Sequence, residues 1–168
     1  MHRPAVPLNA TDRDLLRTAL ASAERAKTAG RHPFGAIVAD EHGKVIAEAG
    51  NNSMPPEGDP TQHAERVAAA LAAQRLPRDA LARCTLYTSA EPCAMCAGAI
   101  YWCNIGRVVY AMSEERLLEL TGSHPDNPTL SLPCRDVFAS GQRPTEVVGP
   151  VPEMEDEAAA PHLGFWGR

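Results

Sequence analysis

No run in this sequence approaches the roughly 18 uncharged apolar residues of a membrane helix, so no spanning segment is expected. The opening residues, Met1 to Asp14, lack the apolar core of a leader peptide, and a cytoplasmic setting is the expectation. No stretch is rich in Lys and Arg, and the formal net charge is −5. Chains that grip polyanions usually show a basic face or arm, so a small-molecule partner is favoured over nucleic acid. Scattered arginines can still gather on one side of a folded chain, which leaves RNA open. The five cysteines are odd in number and irregularly spaced, which argues against a disulfide framework and for free thiols, some of them ligands. Neither an internal repeat nor a domain linker is visible. With 168 residues, 44% of them hydrophobic and 22% charged, the chain reads as one ordinary globular domain with room for a real core.

Its elements follow from pattern. Thr11 with Asp14 three residues later resembles a capping box, and Leu15, Leu16, Ala19, Leu20, Ala23 and Ala26 then recur at helical spacing until Gly30. "FGAIVAD" and "KVIAEAG" flank Glu41-His42-Gly43 and predict a hairpin. "NNSMPPEGDP" predicts a loop, after which Thr61 is placed to cap a helix from Gln62 to about Gln74. "CTLYTSA" predicts a buried strand, and Pro92 suits the start of a helix carrying Cys93 and Cys96. "RVVYAM", "SEERLLEL", "CRDVFASG" and "TEVVG" predict strand, helix, short helix and strand. Helix between the last two strands has the length of a right-handed crossover, so those strands should be parallel. The fold class is therefore α/β, a mixed five-stranded sheet with helices on both faces. Residues 1–150 form the expected catalytic domain, and 151–168 a tail. The tail reads equally as a solvated terminus or, through Phe165 and Trp166, as a segment that packs.

The chemistry lies at two helix starts. Cys93 and Cys96 form a CxxC pair that could be redox-active, but the surrounding pattern is not thioredoxin-like. A closed structural zinc site needs four ligands, and Cys84, Cys103 and Cys134 supply no second pair. The remaining reading joins "HAE", His63 to Glu65, with "PCAMC", Pro92 to Cys96. One His and two Cys leave the fourth tetrahedral position open, as in catalytic zinc sites. Helix starts favour the thiolate form that binds metal. An open zinc site lowers the pKa of water toward neutrality and needs a nearby base, the role assigned to Glu65. A plain first-turn acid is the bland alternative. HxE joined to PCxxC is the general signature of zinc-dependent base deaminases.

At "DPTQHAE" and "TSAEPCAMCAGAIYW" the chain resembles the cytidine deaminase-like superfamily, from "HPFGAIV" through the last strand. "PFGAIV", "GNN" and "IGRVVYA" look most like bacterial guanine deaminases and related nucleobase deaminases, with tRNA adenosine deaminases next. The resemblance implies a three-layer α/β/α fold, Zn²⁺ on His63, Cys93 and Cys96, and Glu65 moving protons as an exocyclic amine is replaced by a carbonyl. It implies Asn51 as a base contact, with Asn52 adjacent, and a backbone N–H from Ala64 to a ring carbonyl. Phe34 and Trp102 would wall the base pocket, unless they are simply core. Phe165 and Trp166 become candidates for a lid over the site, in cis or from a homodimer partner. A second acid is expected, Asp126 first, with Glu114 or Glu115 as alternatives. The implied activity is deamination of guanine or a guanine-like base. A tRNA adenosine deaminase, or a deaminase of a nucleoside or of cytosine, is the alternative, and the acidic tail disfavours the tRNA substrate. A non-catalytic binding module is the third possibility, and an intact Glu65 with all three ligands speaks against it.

Overall fold

A computed structural model describes residues 7–167. Residues 1–6, part of the opening stretch and of the 1–150 division, lie outside the described residues, as does Arg168 at the end of the tail. The elements run α1 (Ala10–Thr28), β1 (Gly35–Ala39), β2 (Val45–Gly50), α2 (Ala64–Arg75), α3 (Arg78–Leu81), β3 (Thr85–Ala90), α4 (Ala94–Trp102), β4 (Arg107–Met112), α5 (Glu114–Thr121), α6 (Cys134–Ala139), β5 (Glu146–Val148) and α7 (Pro152–Ala159), then a 3₁₀ turn at Ala160–His162.

One five-stranded sheet has the order β2-β1-β3-β4-β5. β1 pairs antiparallel with both β2 and β3, whereas β3–β4 and β4–β5 are parallel. Each parallel pair is joined through helix, α4 in the first case and α5 with α6 in the second, as the crossover geometry requires. The mixed sheet and its parallel last pair agree with the sequence expectation.

Both faces are covered. On one, alanines of α2 (Ala64, Ala68, Ala69, Ala72) pack with Ile100 of α4 and Phe138 of α6 against Val38, Leu86 and Val108. On the other, Leu15, Leu16 and Ala19 of α1 and Met154, Ala158 and Ala159 of α7 pack against Ile37, Tyr87 and Val109. β1, β3 and β4 are buried on both faces, which is why their sequences are continuous apolar runs without alternation. At the start of β1 the backbone runs so close to α1 that a Cβ on Gly35 would lie 2.4 Å from the Ala23 nitrogen and 2.5 Å from the Ala19 oxygen. Only glycine fits there.

Three local expectations change. The capping box of α1 is Asn9 with Asp12, not Thr11 with Asp14: the Asp12 N–H donates to Asn9 Oδ1 at 2.8 Å, and the Asn9 N–H donates to Asp12 Oδ2 at 3.2 Å. Asp12 wins because it also points inward, accepting from Arg107 and from the Tyr87 hydroxyl, each at 2.7 Å. Thr61 does not cap α2; its hydroxyl donates to Asp59 at 2.5 Å, and His63 takes the cap position without a side-chain cap bond. The tail is not a loose terminus, because α7 contributes Met154, Ala158 and Ala159 to the core.

Candidate active site

The topology brings one edge of the sheet together. β1 runs opposite to β3 and to β2, so the residues just before β1 meet those just after β2, β3 and β4. His32, Phe34, Asn51, Glu91 and Glu114 come from these ends and line a cavity of about 600 Å³. Ligand sites at the carboxyl ends of strands are the rule for α/β sheets.

Into that edge project the starts of α2 and α4. His63 occupies the cap position of α2 and Cys93 that of α4, both with extended backbone, while Glu65 and Cys96 lie within the first turns. The donor atoms of His63, Cys93 and Cys96 all lie within 4.8 Å of one another. His63 Nδ1 is 3.6 Å from Cys93 Sγ. Tetrahedral ligation with the usual Zn–N and Zn–S lengths puts such a pair about 3.5 Å apart, so the side chains already hold a metal-ready spacing. A hydrogen bond from the Cys96 thiol and the neighbouring imidazole lower the Cys93 pKa to about 4, so one thiolate stands ready, while the shared proton and burial raise Cys96. The same cysteine contact raises the His63 pKa. The residues fit Zn²⁺, and it would be held by one imidazole and two sulfurs.

Glu65 stands against this set. It is buried, its Oε2 is 3.8 Å from Cys96 Sγ, and it lines the cavity. Burial pushes its carboxyl up to about 7, so it can take and give a proton near neutral pH. Asn51 is also buried, and its Oδ1 accepts from the Ser53 N–H at 2.9 Å and the Ser53 hydroxyl at 2.8 Å. With the oxygen so engaged, the amide NH₂ is the part of Asn51 left for a ligand acceptor. Asn52 instead bonds Gln62 through backbone and side chain, which holds the 51–62 loop closed. Phe34 lines the cavity, half-buried, with its ring 5.0 Å from that of His162. Ala64 is fully buried between His63 and Glu65, and its methyl belongs to the core.

Two acids reach the cavity besides Glu65 and Glu91. Asp126 is exposed and sits at the rim, its N–H donating to His124 Nδ1 at 3.2 Å. Glu114 is buried in the wall, and burial followed by the neighbouring Glu65 raises its pKa to about 8. Glu115 is exposed and outside the lining.

Trp102 is a correction. It is 77% exposed and does not line the cavity. It ends α4, six residues past Cys96 and so about 9 Å farther along the helix axis, on the side away from buried Cys96, Ala97 and Ile100. Phe165 also stays out of the cavity lining, edge-on to His32 with ring centroids 6.0 Å apart. Its neighbour Trp166 is buried behind the cavity wall, 4.9 Å from His32 and 5.5 Å from His124. Sequence reasoning missed His32, which is nearly buried in the cavity wall and whose pKa burial lowers. It also gave Glu91 no role. "RHPFG" offers no motif for the first, and the second bonds to residues far along the chain.

Comparison with known proteins decides the family. The family model described as "Cytidine and deoxycytidylate deaminase zinc-binding region" matches residues 9–112, which contain every ligand above. The chain belongs to that family. It is 46% identical over 159 residues to the "Probable cytosine deaminase" of Schizosaccharomyces pombe, covering 95% of this chain and 94% of the relative. It is 48% identical over 79 residues to the "Guanine deaminase" of Bacillus subtilis, covering 47% of this chain and 49% of that one. The solved guanine deaminase of Nitrosomonas europaea superposes with a TM-score of 0.71 at 27% identity, over 95% of this chain and 86% of that one. The protein is thus a zinc-dependent deaminase of the cytidine deaminase family, with His63, Cys93 and Cys96 as its metal set. When bound, Zn²⁺ supplies a Lewis acid that lowers the pKa of water toward neutrality. Around that metal set, Phe34, Asn51 and Glu65 line the cavity.

Proposed function

We propose that this deaminase acts on a small free base, with cytosine its preferred substrate. The full-length likeness to the fission yeast protein named a probable cytosine deaminase carries this reading. The cavity supports it in two ways. Trp102, the flat wall that a purine reading leaned on, lies outside the cavity lining. The Asn51 NH₂, the only side-chain amide donor of the lining named above without a protein acceptor among the described residues, suits a ring carbonyl such as that of cytosine. Water adds at the amine-bearing carbon; Glu65 carries one of its protons to the ring nitrogen, which keeps it, and the second, from the new hydroxyl, to the amine, so that ammonia leaves as the ring carbon becomes a carbonyl.

Guanine is the second reading, favoured by the superposition on the Nitrosomonas europaea enzyme and by acids at the cavity, Glu114 and Asp126, able to accept from an N–H-rich edge. Asp126 remains the proposed second acid, and Ala64 the proposed backbone contact. Ammonia release from zinc-loaded protein should be measured for cytosine, guanine, adenine, cytidine, guanosine and a tRNA anticodon stem-loop. Cytosine should give the highest kcat/KM. Guanine in that place would transfer the assignment to the second reading, and release from tRNA alone would overturn both.

We also propose a second copy of the chain as partner, in a cytoplasm that keeps its free thiols reduced. Met95, Gly98, Ala99 and Trp102 form an apolar stripe on the outer side of α4, and Met95 lines the cavity, so the stripe runs to the edge of the site. A pair of chains would cover it. Trp102→Glu should convert a dimer to a monomer in sedimentation equilibrium; a wild-type chain that stays monomeric at tens of micromolar, roughly the range of weak dimers, ends the proposal.

A further inference from the structure

We propose that Glu91 is a positioning residue that pins both ends of one cavity wall to the metal-ligand turn. Glu91 follows the last residue of β3 and stands two residues before the ligand Cys93. It is buried, 7% exposed, and its own N–H is tied to the Met112 oxygen at 2.8 Å. Its two carboxylate oxygens are then divided between two helices. Oε2 accepts the Glu114 N–H at 3.0 Å, and Oε1 accepts the Cys134 N–H at 3.0 Å.

Those donors are the first residues of α5 and α6, whose N–H groups have no partner within their own helix. Ser113 caps α5 by accepting from Arg116, so it does not serve Glu114, and Pro133 brings no capping group to α6. One carboxylate thus satisfies two orphan donors, and two positive helix ends meet its charge.

What lies between the two bonds gives them their function. The segment from Glu114 to Cys134 contains no strand, and it supplies Glu114, Leu117, Pro125, Asp126, Thr129 and Leu130 to the cavity. The wall is therefore anchored at both ends to the residue that leads into Pro92 and Cys93. Because Glu91 stands two residues before Cys93, its two bonds fix the distance between this wall of the cavity and the metal set. Misplacement there acts on binding before chemistry.

Glu91→Gln tests this on zinc-loaded protein. A glutamine keeps one acceptor oxygen and turns an NH₂ against the second helix start. The folded, zinc-replete variant should show KM for its base raised about tenfold or more, with kcat within about threefold of wild type. A cap with a merely structural role would lower the folded fraction and leave both constants alone. Hydrogen exchange on the wild-type chain reads the pin without any substrate, so its failure is separable from failure of the substrate reading. The Glu114 and Cys134 amides should exchange roughly a hundredfold slower than open helix starts. Exchange at open rates, a KM within about twofold of wild type, or loss of zinc from the variant would each overturn the proposal.

Discussion

Glu65 carries the sharpest demand on any single side chain. Its carboxyl is buried beside Cys96 Sγ and lines the cavity, and the proposed reaction uses it as the proton carrier. Glu65→Gln keeps the volume and removes that capacity. The variant should retain zinc, measured by release to a chromogenic chelator, while kcat falls about 10²- to 10⁴-fold, the usual worth of a positioned acid–base group. Turnover near the wild-type rate would hand the proton work to Glu114. The motif residues were legible because His63 and Glu65 are separated by one residue, and Cys93 and Cys96 by two, each pair at a helix start where local geometry sets their direction. Trp102 was not. Whether the end of α4 faces the cavity depends on how the whole helix packs, and here Cys96, Ala97 and Ile100 take the inward side. Glu91 was opaque for a related reason: its two partners lie 23 and 43 residues away.

At the scale of elements, the strands were legible because burial on both faces leaves continuous apolar runs that admit little else. Helix boundaries were less so. α1 begins at Ala10 because Asp12 closes a box with Asn9 and reaches Arg107, a partner 95 residues away that no local pattern announces. The tail was the hardest element. Its acidic residues read as solvated, and Glu153 and Glu157 do face outward, pairing with Arg13 and Arg17 of α1 at 3.2 and 3.9 Å. Exposed pairs of this kind contribute little. The apolar face of α7 consists of one methionine and small alanines, a signal too weak to stand out in an alanine-rich chain, yet it is buried in the core beside β4. Behind it, the 3₁₀ turn delivers His162 and the following turn delivers Trp166, and the indole N–H donates to His162 Nδ1 at 3.1 Å.

For the whole molecule, that hydrogen bond ties folding to pH. His162 is 1% exposed, packed against Phe34 and Trp166, and it must accept through Nδ1, which requires a ring that is not doubly protonated. Burial, with Lys27 and then His32 adding to it, lowers its pKa to about 4. The unfolded chain offers an ordinary histidine that takes up a proton near pH 6.5. Below that pH the unfolded state binds more protons than the folded state, so folding stability is whole above about 6.5 and falls as pH drops toward about 4. Between pH 7.5 and 4.5 this one side chain should remove about 2 to 3 kcal/mol of stability. Other groups titrate in the same window, so the test is a difference. His162→Gln keeps a neutral acceptor for the Trp166 indole and has nothing to protonate. Urea unfolding followed by fluorescence should show the wild type losing about 2 to 3 kcal/mol more than the variant across that range. Parallel curves would mean that His162 is already protonated in the fold, or that the tail leaves the body of the protein before the rest unfolds. The second outcome would show as a separate early transition of Trp166, because its indole is buried between the tail and the walls of the cavity while Trp102 is exposed from the start.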